Sequence, residues 1–184
     1  MAAVAQDGLA LQFAAETLQA DKEIVLTAVT RNELALESAA EPLRADKKFI
    51  LTVVAQNGLA LQFTVKTLQA DKDIVLMAAT QNELALDYSA QPLLVDKEFI
   101  MDVVAQNYLA LHSAADHFKA DKNFMLAAVT RDGLSLQFAA KPLQADKELV
   151  QLLIVSKRPR ETSSFCEPLT NCHDRASRGS DPLF

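Results

Sequence analysis

Aspartate, lysine and histidine are the residues of this chain whose types and spacing could do chemistry. The pair Asp-Lys stands at Asp21-Lys22, Asp46-Lys47, Asp71-Lys72, Asp96-Lys97, Asp121-Lys122 and Asp146-Lys147, an interval of about 25 residues without drift. His112 and Asp116 lie four apart with His117 beside them, and imidazole and carboxylate on one helix are donors a metal ion accepts. Their columns in the other copies carry Gln, Glu, Thr and Pro, so the three read as solvated substitutions. Cys166, Cys172 and His173 have no structural-zinc spacing and no evident fourth ligand. No glycine-rich phosphate loop, G-x-S-x-G elbow or H-E-x-x-H pair occurs. Groups able to serve as acid, base or nucleophile vary between copies without converging. The sequence therefore reads as no enzyme, with no cofactor and no metal.

The lysine row is the oddest of these features. Lysine at the first helical position opposes the helix dipole by a few tenths of a kcal/mol, yet all six copies have it. Stacked helices lie about 8 to 10 Å apart, roughly one Debye length, so repulsion along the row is small. One reading pairs each lysine with an Asp cap or a neighbouring acid such as Glu23 or Glu98. The other makes Lys72, Lys97 and Lys122 part of a cationic edge that docks an acidic partner.

The elements that carry these residues follow from the repetition. Self-similarity at this period is the signature of a solenoid stabilised by neighbour contacts. Alanine and leucine dominate, glycine is scarce and tryptophan absent, which favours helix on intrinsic propensity. The class is all-α: a right-handed or weakly twisted solenoid of short αα-hairpins over residues 1–155, followed by a tail, 156–184, whose Ser, Arg and Pro content predicts disorder. Asp21 caps helix A, predicted from Lys22 to Arg31, with Ile24, Val25, Ala28 and Val29 on its apolar face. Asn32, like Asn57, Asn82 and Asn107, sits where that helix ends and suits the left-handed cap conformation. Leu34, Leu36, Ala39, Ala40 and Leu43 pattern a shorter helix B, which must weaken before Pro42, as it must before Pro92 and Pro142.

Copies separated by one unit match at roughly two-thirds of positions and adjacent copies at fewer than about half, so the array grew by duplicating a pair of hairpins. The Leu34 and Leu36 columns are leucine in every copy and are expected in the inter-repeat core. Other columns are polar and vary: Gln12, Glu37, Gln62, Asp87, His112, Gln137, and Glu16, Glu41, Lys66, Gln91, Asp116, Lys141. Variable polar columns on one side of a solenoid are where such proteins recognise partners. The expected partner-binding residues are therefore Glu37, Glu41, Gln62, Lys66, Asp87, Gln91, His112, Asp116, Gln137 and Lys141, with Lys72, Lys97 and Lys122 from the lysine row.

Charge limits the partner. The net charge is −6, and the tail holds five Lys or Arg against four Asp or Glu, which leaves about −7 on the repeats. An acidic surface repels phosphate backbones. No apolar run approaches the ~20 residues that span a bilayer, and the start lacks a secretory pattern. Cytoplasm is the expected location, with Lys157–Arg160, KRPR, as a short nuclear-localisation form. Neither end carries the polar face of a capping repeat, which points to a piece of a longer array or to self-association through the ends.

The pattern D-K-x-[IF]-[VI]-L-x-A-V-x-x-N-G-L-A-L-x-F-A is present as DKDIVLMAATQNELALDYSA from Asp71 and DKNFMLAAVTRDGLSLQFAA from Asp121. It resembles the repeat called domain of unknown function 4116, over residues 1 to about 155. The resemblance implies tandem helical repeats and brings no activity, substrate or catalytic residue with it. By analogy with other helical repeats, the function expected is a protein-interaction scaffold. The alternatives are a single-stranded nucleic-acid-binding helical repeat, against which the acidic balance counts, and a non-functional fragment of a longer array.

Overall fold

In the computed structural model, which describes residues 2–156, each unit consists of short helical pieces, with 3-10 helices labelled η. The chain enters through α1 (Ala2–Gln6), η1 (Gly8–Phe13) and α2 (Glu16–Gln19). The next unit is α3 (Lys22–Arg31), η2 (Glu33–Ser38) and α4 (Glu41–Arg44), followed by α5 (Lys47–Gln56) and η3 (Gly58–Phe63). Then come α6 (Lys72–Gln81), η4 (Glu83–Tyr88), α7 (Gln91–Leu94), α8 (Lys97–Gln106), η5 (Tyr108–Leu111) and α9 (Asp116–Ala120). The described part closes with α10 (Lys122–Arg131), η6 (Gly133–Phe138), α11 (Lys141–Gln144) and α12 (Lys147–Ser156). Among the described residues there is no β-strand. Of the region read as a tail, Ser156 belongs to α12, while Lys157–Arg160, Cys166, Cys172 and His173 lie outside the described residues.

Helix A forms where the sequence places it. Asp21 is in extended backbone and its Oδ1 accepts from the amides of Glu23 and Ile24 at 2.9 and 3.1 Å, which satisfies two of the donors that a helix start leaves unpaired. Ile24, Val25, Ala28 and Val29 are all buried. Asn32 ends the helix differently from expectation: φ is −155° and ψ 119°, extended and not left-handed. Its backbone N–H donates to Ala28 O, while its Oδ1 accepts from the Leu34 amide at 3.0 Å. One asparagine thus terminates α3 and starts η2, and aspartate does the same at Asp132. The side-chain bond, an Asx turn, is available to Asn or Asp in ordinary extended backbone.

The predicted helix B is two pieces. η2 ends at Ser38, Ala39 and Ala40 are extended or nearly so, and α4 starts after them. Pro42 stands in the first turn of α4, where its missing N–H is one of the unpaired donors and its fixed φ suits the helix. The proline initiates a helix; it does not terminate one. The first, third and fifth units have Thr17, Thr67 and His117 in place of proline; α2 and α9 form without it, while residues 66–70 form turns.

Successive long helices pack on one another, as do successive 3-10 helices, giving two stacked layers. The core between them takes the four apolar positions of helix A together with Ala35, Leu36, Ala39 and Leu43 and their equivalents. The Leu36 column is core, with Leu11, Leu36, Leu61, Leu86 and Leu111 all at 0% exposure. The Leu34 column is not. Leu34, Leu84, Leu109 and Leu134 are 44%, 43%, 37% and 51% exposed, and the position beside them holds the core instead, as Ala35, Ala60, Ala85, Ala110 and Ser135. A 3-10 helix turns about 120° per residue, so three successive positions cannot share one face: Ala35 and Leu36 face the core and Leu34 faces outward, whereas the sequence reading expected both leucine columns in the core because both are invariant.

The two-unit period also has a physical trace. A Cβ on Gly8 or Gly58 would lie 2.3 Å from the carbonyl oxygen of Ala28 or Ala78 in the following helix. Glycine allows that close approach. The second and fourth units carry Glu33 and Glu83 at this position, and the alternation ends there, with Tyr108 in the fifth unit and Gly133 in the sixth; Glu33 accepts from Asn57 Nδ2 at 3.2 Å. Backbone bonds between units alternate likewise: Ala40, Ala90 and Ala140 donate to the carbonyls of Gln19, Gln69 and Lys119 at 2.8 to 2.9 Å.

Candidate functional site

The Asp-Lys row resolves into a ladder of ion pairs. Lys22, Lys47, Lys72, Lys97 and Lys122 reach Asp46, Asp71, Asp96, Asp121 and Asp146 at 2.6 to 2.9 Å, each in the following unit. Lys47 and Lys122 also contact Asp73 and Glu148 at 2.9 Å. The two carboxylate oxygens divide their roles: in Asp46, Oδ1 caps α5 by accepting from Lys48 and Phe49, and Oδ2 receives Lys22. The lysine thereby meets a carboxylate of the next unit's first turn, which offsets its unfavourable place at its own helix start. The neighbouring acid joins in where the next unit supplies one: Glu98 adds attraction to Lys72, as Asp73 and Glu148 add contacts to Lys47 and Lys122.

The pairing shifts the titration of both partners. The Lys22 bond, followed by the Phe49 amide, holds Asp46 below the usual carboxylate range. Asp96, Asp121 and Asp146 are lowered chiefly by Lys72, Lys97 and Lys122. Burial pulls Asp71 upward, but the Lys47 bond and the Ile74 amide prevail and it is lowered as well. Lys47, Lys72 and Lys122 are raised, foremost by Asp71, Asp96 and Asp146.

The variable columns lie elsewhere, on or just after the 3-10 helices and at the starts of the short α-helices that follow, with Lys66 on the turns that replace one of them. Glu37, Glu41, Lys66, Asp87, Gln91, His112, Asp116, Gln137 and Lys141 are exposed and Gln62 is half-buried. The structure therefore separates the predicted partner-binding residues into two groups. Lys72, Lys97 and Lys122 sit at the starts of long helices with their ammonium groups engaged; the others line the outer edge of the second layer. Near His112, Lys119 donates to the His112 carbonyl at 3.0 Å and contacts Asp116 at 3.3 Å, and the His117 ring lies 4.0 Å from that of Phe118. Among the described residues, no three His, Cys, Asp or Glu are grouped to hold a metal ion.

The half-exposed leucines are the feature that the sequence reading missed. Leu9 and Leu59 are half-buried and Leu34, Leu84, Leu109 and Leu134 exposed, so one leucine per unit stands on consecutive 3-10 helices. Three residues on, where 3-10 side chains eclipse, is the variable column from Gln12 to Gln137. Invariance gave no clue to exposure, since both leucine columns are equally invariant. The signal available was the Asx turn, whose tight geometry starts a 3-10 helix.

Two layers of short helices packed on a shared apolar core, with a charge ladder linking successive units, define an α-helical repeat solenoid. The model of a domain of unknown function, DUF4116, matches residues 1–44, 46–92, 96–144 and 121–159, and the chain belongs to that family. The matches over 46–92 and 96–144 each take in two units, in step with the pairwise duplication. No curated protein and no solved structure matches the chain. No helix among the described residues is long and apolar enough to cross a membrane.

Proposed function

We propose that this array is a protein-interaction scaffold of the cytoplasm, without catalytic activity, which recognises a partner along the outer edge of its second layer. The observation that carries the reading is the coincidence of variability and exposure: the columns that differ from unit to unit, Glu37 and Glu41 with their equivalents, are those directed outward. A rigid stack that repeats its core and varies its edge presents a long surface with unit-by-unit chemistry, as helical repeats do. Fold analogy supplies the rest of the warrant.

Affinity capture on the full chain, with and without nuclease, tests this reading. Protein partners that survive nuclease and are lost when Glu37, Glu41, Asp87 and Gln91 are replaced by alanine are the expected result. Recovery of nucleic acid that elutes steeply with salt would overturn it, because phosphate contacts are broken by counterion competition.

A further inference from the structure

We infer that the leucine row on the 3-10 helices is a binding groove for a cationic amphipathic helix, which gives the scaffold reading, on which it rests, a partner of stated chemistry. A single exposed leucine is ordinary. A continuous row is not, because contiguous apolar surface on a folded protein marks an interaction site. Here the row runs through Leu34, Leu84, Leu109 and Leu134, 37% to 51% exposed, with the half-buried Leu9 at its start and the half-buried Leu59 between Leu34 and Leu84. The 3-10 helices that carry it pack consecutively.

Charge complementarity selects the occupant. Across the six-residue stretches 7–12, 32–37, 57–62, 82–87, 107–112 and 132–137 there is no Lys or Arg in any copy, while Asp7, Glu33, Glu37, Glu83, Asp87 and Asp132 are acidic. Glu37 and Asp87 are exposed and eclipse Leu34 and Leu84. The next outward column, from Glu16 to Lys141, carries both signs and bounds the acidic strip. An anionic strip with an apolar stripe repels phosphates and acidic surfaces and suits a segment that alternates leucine-like and basic residues. Spacing narrows it further. Stacked units repeat at roughly 8 to 10 Å and an α-helix rises about 1.5 Å per residue, a span of about five to seven residues, of which about seven returns to the same face, so apolar side chains at heptad spacing meet successive leucines.

A library of displayed random peptides, selected on the full chain, tests the proposal. Recovered binders should be rich in Lys and Arg with bulky apolar residues at near-heptad spacing. They should bind at least about ten-fold more weakly to the double variant Glu37→Lys/Asp87→Lys and to Leu34→Ser/Leu84→Ser, and weaken with salt. Circular dichroism checks that each variant stays folded, and Glu37→Gln/Asp87→Asn serves if charge reversal disturbs the fold. Binders without basic residues, or binders that hold both double variants as tightly as the parent, overturn the groove but leave the scaffold reading standing. An empty selection overturns the groove as well, and lysate capture then decides separately whether the scaffold reading falls with it.

Discussion

A single aspartate in this array has two tasks, and they can be separated by substitution. Asp71 caps α6 through Oδ1, accepting from Asp73 and Ile74, and receives Lys47 on Oδ2. Asp71→Asn keeps an acceptor for the cap and loses the charge; Asp71→Ala loses both. Thermal unfolding should show a loss of about 0.5 to 2 kcal/mol for the alanine variant from the cap alone. The asparagine variant should lose less, and molar salt should erase its deficit, since exposed ion pairs are weak and screened. Gly58 is the second residue of this kind. An added methyl would press on the Ala78 carbonyl at 2.3 Å, and backbone cannot turn aside as a side chain does. Gly58→Ala should therefore destabilise by about 1 to 3 kcal/mol, measured by denaturant titration. The cap was readable from Asp before an apolar period. The glycine's reason was not, because the approaching carbonyl lies 20 positions further along the chain.

The 3-10 helix is the element that departs furthest from what invariance suggests. Leu34 and Leu36 are both invariant, and invariance alone puts both inside. Three residues per turn leave room on the core side for two of every three positions, here Ala35 and Leu36, and turn Leu34 outward. Leu86→Ala, at a fully buried site, should cost about 2 to 5 kcal/mol. Leu84→Ala, at a site 43% exposed, should cost about 1 kcal/mol or less. Comparable losses from the two in denaturant melts would show that the exposure assigned here is wrong. The short helices make a related point. Pro42, Pro92 and Pro142 all stand in the first turn of a helix, and a proline reads equally as the end of the helix before it or the beginning of the one after it. The break at Ala39 and Ala40 resolves that ambiguity, and nothing in an Ala-Ala pair announces a break.

The whole molecule is a stack of like units packed on a common apolar core and linked along one edge by like ion pairs, so its pH response should be collective. The carboxylates of Asp46, Asp71, Asp96, Asp121 and Asp146 are depressed by folding. Their contribution is present above the unfolded value of about 3.9 and lost as pH falls through the folded values below it. Lys47, Lys72 and Lys122 are raised, so theirs is present below about 10.4 and lost as pH climbs through the folded values above it. The melting temperature should be flat between these limits and fall beyond each, more steeply in low salt. Modularity gives a second expectation. Deleting residues 46–95 joins Ala45 to Asp96 and sets Lys22 opposite Asp96 in place of Asp46. The shortened chain should keep its helical signal per residue and melt at a lower temperature, because stability in a linear array sums unit and interface terms. Loss of the helical signal would argue against interchangeable units.

The repeat, its period, the helix A boundaries and the outward polar columns were determined by the sequence alone, because they depend on local capping and on a pattern that recurs within each unit. Three things were decided only by the tertiary structure: that each lysine's partner is the cap of the next unit, that a carbonyl of the following helix comes close to Gly8 and Gly58, and that one of two invariant leucines faces outward. Each depends on what the neighbouring units place against a residue, and the sequence of one unit does not contain that information.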